Sequence, residues 1–258
     1  MNRKRTRKTP EMQISESELR AMTRELDELH ESTFPQVRKT LDELAANFVE
    51  VVRRPSSRRT FFFGAAGALT LGTVAACGSG ESGYTADTEG YTGDLQVVAV
   101  ATALENLAII AYNGALKAAG EGKLGVVPPA VAEFVTTAKR QHADHAAAWN
   151  AVLAKAGKPE ITGAPLTITA DQVAKVNAAD SVPAVAQVAL DLEAAAAQTY
   201  TFATANVSDA GGIMTAATIQ PVEAMHAAIL SFVLGQYPIP DTFIPVENAI
   251  KPDALTAN

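Results

Sequence analysis

The chain is short of several residue types, and each shortage excludes something. Among 258 residues there is one cysteine, Cys77, so no internal disulfide can hold the fold. Aromatic residues make up 6%, which leaves alanine and aliphatic side chains to build a core. Basic residues are scarce over most of the length. Residues 1–76 carry thirteen Lys/Arg against ten Asp/Glu, whereas residues 77–258 carry eight against eighteen, with Arg140 the only arginine there. A region this acidic lacks the basic face that phosphate contacts require, so a nucleic-acid partner is not expected. Histidine occurs four times, as His30, His142, His145 and His226.

Sixteen residues, Phe61 to Ala76, carry no charge and follow directly after Arg58, Arg59 and Thr60. A bilayer span needs about twenty apolar residues, and the apolar core of an export signal about seven to fifteen. The run is nearer the second. "SRRTFFF" resembles the twin-arginine export signal, and "VAAC" resembles a lipobox, in which the cysteine, here Cys77, is acylated and becomes a new first residue. An uncleaved membrane anchor is the other reading. On either reading the acidic part is expected outside the cytoplasmic membrane, anchored to it through Cys77 or the apolar segment, with residues 1–55 left in the cytoplasm. The resemblance to the twin-arginine route also implies cargo folded around a cofactor, which points to a metal.

Upstream of this segment, Leu19, Met22, Leu26 and Leu29 recur at helical spacing, as do Val37, Leu41, Leu44, Phe48 and Val51. The pattern predicts two helices, over 15–33 and 36–54, interrupted near Pro35, packing on each other or on a partner that the sequence does not identify. Residues 78–93, rich in Gly, Ser and Thr, read as a flexible tether to the next domain.

From residue 94 to 236, four long helical stripes recur. They predict helices over 95–119, 129–156, 182–206 and 213–235, with a crossover over 157–181 that holds a short helix at "TADQVAKVNAA". The tail, 237–258, has too many prolines to be helical for most of its length and is expected to run extended along the bundle. Each long stripe carries ionisable intruders: Glu105, then His142 and His145, then Glu193, then Glu223 and His226. A carboxylate on a buried face is costly unless it is paired, protonated or bound to a metal. The midpoint between Glu105 and the His142/His145 pair falls near residue 124, inside "EGKLG". That between Glu193 and the Glu223/His226 pair falls near 209, inside "SDAGG". Both are turns, so six side chains are predicted to meet at one level. "LENLAIIAY" and "LEAAAAQTY" repeat one another, which predicts Tyr112 and Tyr200 together on one side of that level.

Two antiparallel hairpins joined by a long crossover form an all-α, four-helix arrangement. Over residues 94–235 the pattern resembles the ferritin-like superfamily, including rubrerythrin-type and exported ferritin-like proteins. Their motif is one Glu on each of two helices and Glu-x-x-His on each of the others. Glu105, Glu193, Glu223, His226 and His145 match it. His142 departs, standing where the family has Glu. Glu105, His142 and His145 alone form a two-His-one-carboxylate set suited to iron or zinc, so one ion and an asymmetric pair both remain open. The resemblance implies iron, with manganese or zinc as alternatives, and oxidation of Fe(II) by O₂ or peroxide, or peroxide removal, with Tyr112 and Tyr200 as auxiliary groups. A metal-binding or structural envelope lipoprotein without turnover is the second reading. A homodimer is compatible with the fold, while a tether and tail would hinder closure of a storage shell.

Overall fold

The computed structural model describes residues 14–53, 90–240 and 243–256. Arg58, Arg59, the apolar run, Cys77 and residues 78–89 of the tether lie outside them. Six α-helices follow in order: α1 (Glu16–Arg53), α2 (Asp94–Gly120), α3 (Pro129–Lys155), α4 (Thr169–Ala178), α5 (Val182–Asn206) and α6 (Ala210–Val233), with a 3₁₀ turn at Pro252–Ala254. The described residues form no strand, only an isolated bridge between Leu166 and Leu255. The fold is an all-helical bundle in which α2 packs on α3, α5 on α6, and the two hairpins meet through α2 and α5.

Local chemistry sets the ends of these helices. Pro128 and Pro129 open α3, where a missing N–H costs nothing. Asp209 caps α6, accepting from the backbone N–H of Gly211 at 2.7 Å and of Gly212 at 3.3 Å, so the helix begins three residues earlier than the stripe alone predicts. Asp94 reaches across to the same turn and accepts from the backbone N–H of Ser208 and Asp209. The crossover is laced to the bundle: Asn106 donates to the carbonyls of Ile161 and Gly163, and Asn150 donates to Ile161 and accepts from its N–H. A Cβ on Gly114 would lie 2.7 Å from Val176 Cγ1, so glycine permits the close approach of α2 to α4. The tail runs back along α5. Asn248 N–H donates to Gln198 and Ile250 N–H to Thr199, and Thr256 N–H reaches the carbonyl of Pro165.

The N-terminal region departs most from the sequence-based expectation. Pro35 lies inside one continuous helix, α1, and does not separate two. A proline in a helix interior removes one backbone hydrogen bond and costs about 3 kcal/mol. Packing outweighs that cost, because α1 lies on both α3 and α6. Leu19, Leu26, Phe34, Val37, Leu41 and Leu44 are all buried. Among the described residues, five ion pairs to α3 flank this seam: Arg20–Glu133, Asp27–Arg140, Glu31–Arg140, Arg38–Asp144 and Asp42–Lys155. The apolar face of α1 therefore has its partner in the same chain. Its phase also differs. Leu29 is 53% exposed and His30 only 3%, so the buried stripe runs through 19, 23, 26, 30, 34 and 37.

Because α1 is part of the core, Leu26→Ala should lower unfolding stability by about 2–5 kcal/mol in a single cooperative transition. Chemical denaturation followed by circular dichroism checks this. A loss under about 0.5 kcal/mol would mean that α1 is peripheral.

Candidate metal centre

Glu105 projects from α2, His142 and His145 from α3, Glu193 from α5, and Glu223 and His226 from α6. Each is at most 2% exposed. On α3 and α6 the paired residues are three apart, so both face the same side of their helix. The antiparallel hairpins bring all six side chains to one level between the two hydrophobic clusters of the core.

His142 lies between the two single glutamates. Its Nδ1 is 2.6 Å from Glu105 Oε2 and its Nε2 is 3.1 Å from Glu193 Oε1. Both neighbours are carboxylates, so both ring nitrogens donate and the metal-free ring is an imidazolium strap. His145 Nδ1 lies 3.1 Å from Glu223 Oε1 and 3.4 Å from Glu105 Oε1. The His145 Nδ1 and Glu223 Oε1 atoms are close but not aligned as a hydrogen bond, and neither makes a hydrogen bond elsewhere. His226 Nδ1 faces Glu193 at 3.3 Å and Glu223 at 3.4 Å. Two overlapping sets result: Glu105, His142, His145 and Glu223, and His142, Glu193, Glu223 and His226. Within each, the candidate ligand atoms lie within 4.8 Å of one another.

The tyrosines brace the glutamates crosswise. Tyr112, on the helix of Glu105, donates to Glu193, and Tyr200, on the helix of Glu193, donates to Glu105. They do not share one side of the layer as predicted. Tyr112 packs with Phe134 and Ala186, whereas Tyr200 packs with Val98, Trp149 and Ala203. The reason is that α2 and α5 run antiparallel, so equal offsets from each Glu lead in opposite directions. Burial, then the nearby glutamates, raise both hydroxyls well above the ordinary tyrosine value, which keeps them protonated as donors. Trp149, expected only to fill the core, donates from Nε1 to the Tyr200 hydroxyl at 3.0 Å.

Four more residues reach the layer without having been singled out. Gln141 Oε1 accepts from His226 Nε2 at 2.8 Å, and Gln141 Nε2 donates to Asp27 of α1 at 2.9 Å. This leaves His226 Nδ1 facing the carboxylates, the orientation a ligating histidine takes when its other nitrogen is held. His30 stacks on Phe34 with ring centres 4.7 Å apart, and its ring centre is 5.2 Å from that of His145. The position of Gln141 beside His142 was a local signal, but His30, Phe34 and Asp27 required knowledge of where α1 docks. Asp144, by contrast, turns away to pair with Arg38 and Arg140.

The electrostatics bind the layer together. Burial alone would raise Glu105, yet His145 and His142 overcome it and bring its carboxyl down to about 2. Burial would lower His145, and Glu105 and Glu223 lift it to about 9. In the same way His142 rises well above the usual histidine range, His226 rises, and Glu193 falls well below the usual carboxylate range. Three carboxylates and three imidazoles thus form a self-neutralised cluster in the metal-free chain. They fit a divalent ion through their donor chemistry and through the unpartnered His145 Nδ1 and Glu223 Oε1, which an ion between them would satisfy.

The metal-free protein should accordingly be most stable between about pH 4.5 and 6.5. The contribution of Glu105 is present above its unfolded value of 4.5 and is lost as pH falls through about 2. That of His145 is present below 6.5 and is lost as pH rises through about 9. In chelator, denaturation midpoints should fall from pH 6.5 to 9, with each titrating histidine contributing on the order of 1 kcal/mol per pH unit. His145→Gln should flatten the slope. A pH-independent midpoint across this window would contradict the cluster.

A model of the ferritin-like domain matches residues 93–236. No curated protein and no solved structure matches the chain. The matched span opens at the start of α2 and closes just after α6, enclosing the four helices that carry the six-residue layer. The chain belongs to the ferritin-like domain family.

Proposed function

We propose that the protein is a metal-binding protein of the cell envelope whose bundle holds iron, or manganese in its place, for redox work on Fe(II), dioxygen or peroxide. The observation that supports this best is the sealed layer with its two unpartnered ligand atoms facing one another. An iron or manganese ion held by these residues would supply electron transfer toward the oxidant. The chain's own residues exclude water and fix the carboxylates: Tyr200 holds Glu105, Tyr112 holds Glu193, and Gln141 turns His226 inward.

Charge favours one divalent ion per bundle. Three carboxylates less one imidazolium strap at His142 leave two negative charges for the ion to balance, with His145 and His226 neutral. The set formed by Glu105, His145 and Glu223 is the proposed position. Elemental analysis and titration of metal-depleted protein should give close to one ion per chain. Glu223→Ala or His145→Ala should weaken binding at least tenfold. Stoichiometry near two would displace the strap reading, and no uptake at micromolar metal would remove the metal reading. The same strap supports the second reading, metal held without turnover. Loaded protein that consumes no oxygen or peroxide would favour it.

The envelope location rests on Arg58, Arg59, the uncharged run and Cys77. Because α1 is packed on the bundle, an export segment between them must either carry both across or lift α1 away. Metabolic labelling with a tagged fatty acid should mark the chain, and Cys77→Ala should abolish the mark. Unlabelled protein confined to the cytosol would count against the location.

A further inference from the structure

We propose that α1 contributes a ligand of its own to the metal centre, with His30 coordinating the ion held by Glu105, His145 and Glu223. The inference rests on the reading of that layer as a metal site and adds to it a residue from outside the matched domain. Its basis is an unpaired group in an unusual place. His30 is 3% exposed, and neither Nδ1 nor Nε2 has a hydrogen-bond partner. A buried imidazole left unsatisfied is destabilising, at a position on the stripe between Leu26 and Phe34 where a leucine would carry no such cost.

His30 stands beside the two ligand sets and not within either, so coordination requires its ring to turn toward the ion, and the ring spacing allows this. Two imidazoles bound to one ion at nitrogen distances of 2.0–2.1 Å have ring centres about 4.6–5.6 Å apart for angles of about 90–120° at the metal. His30 and His145 are 5.2 Å apart and tilted by 51°. Phe34 stacks on His30 and lies 5.6 Å from His145, so one aromatic wall positions both rings. Neither ring nitrogen is engaged in a hydrogen bond, so His30 has a lone pair free to bind. A neutral ligand leaves the charge balance of the one-ion site unchanged. With His30 the ion has two imidazoles and two carboxylates, a donor set that iron, manganese and zinc all accept.

The test uses the full chain, freed of metal and titrated with Co(II), whose visible spectrum reports the number and kind of ligands. His30→Phe is the primary variant, because a phenyl ring fills the same space against Phe34 without a nitrogen. His30→Ala is the second, with free imidazole added back. We expect His30→Phe to melt within a few degrees of the wild type in chelator, to bind Co(II) at least about tenfold more weakly, and to show a shifted visible band. Imidazole should restore the wild-type band in His30→Ala and have no effect on His30→Phe. If both variants bind Co(II) with wild-type affinity and spectrum, His30 is no ligand while the metal site stands. If the wild-type chain takes up no Co(II), the site and the ligand fall together.

Discussion

The structure depends on one constraint: six ionisable side chains share a layer from which water is excluded, so their charges must cancel among themselves or against an ion. A lone buried carboxylate or imidazolium would either lose its charge or take up a large part of the stability of a domain of this size. The layer therefore fixes the register of the bundle. Sliding α3 by one turn would part His142 from Glu105 and Glu193 together. The same constraint explains why the bracing groups around the layer are neutral donors and acceptors, such as Tyr112, Tyr200, Trp149 and Gln141. They hold the charged atoms in place without adding charge.

The crosswise tyrosines show how an internal repeat becomes a mechanical device. Each hairpin offers a Glu and, two turns later, a Tyr. In isolation neither Tyr can reach its own Glu. Packed antiparallel, each hydroxyl meets the other hairpin's carboxylate, so the two halves clasp each other at the layer. A similar logic operates at the end of the bundle, where the Asp94 carboxylate from one hairpin closes on the backbone of the turn in the other.

Much of this was legible in the sequence because it follows from period and spacing. The bundle helices appear as stripes at 3.6-residue spacing, and the shared level of the six residues follows from equal distances to two turns. What failed required knowledge of three-dimensional direction or of a distant partner. The side taken by Tyr200 depends on the polarity of α5 relative to α2, which periodicity does not encode. Pro35 reads locally as a break, but the packing energy that overrides it is spread along α3 and α6. His30 was missed through phase: Leu19, Met22, Leu26 and Leu29 form as regular a series as Leu19, Thr23, Leu26 and His30. Only the docked surface distinguishes them. The proposed export segment rests on residue identity alone and lies outside the described residues.

The docking of α1 upstream of Cys77 has a thermodynamic consequence. In the intact chain α1 finds the bundle as a tethered neighbour, at an effective concentration set by the covalent connection. Were the polypeptide severed ahead of Cys77, that association would become a bimolecular one, subject to dilution. The two fragments would then behave as a receptor and its detachable peptide, and occupancy of the seam between α3 and α6 would depend on how much of the peptide is present in the same compartment.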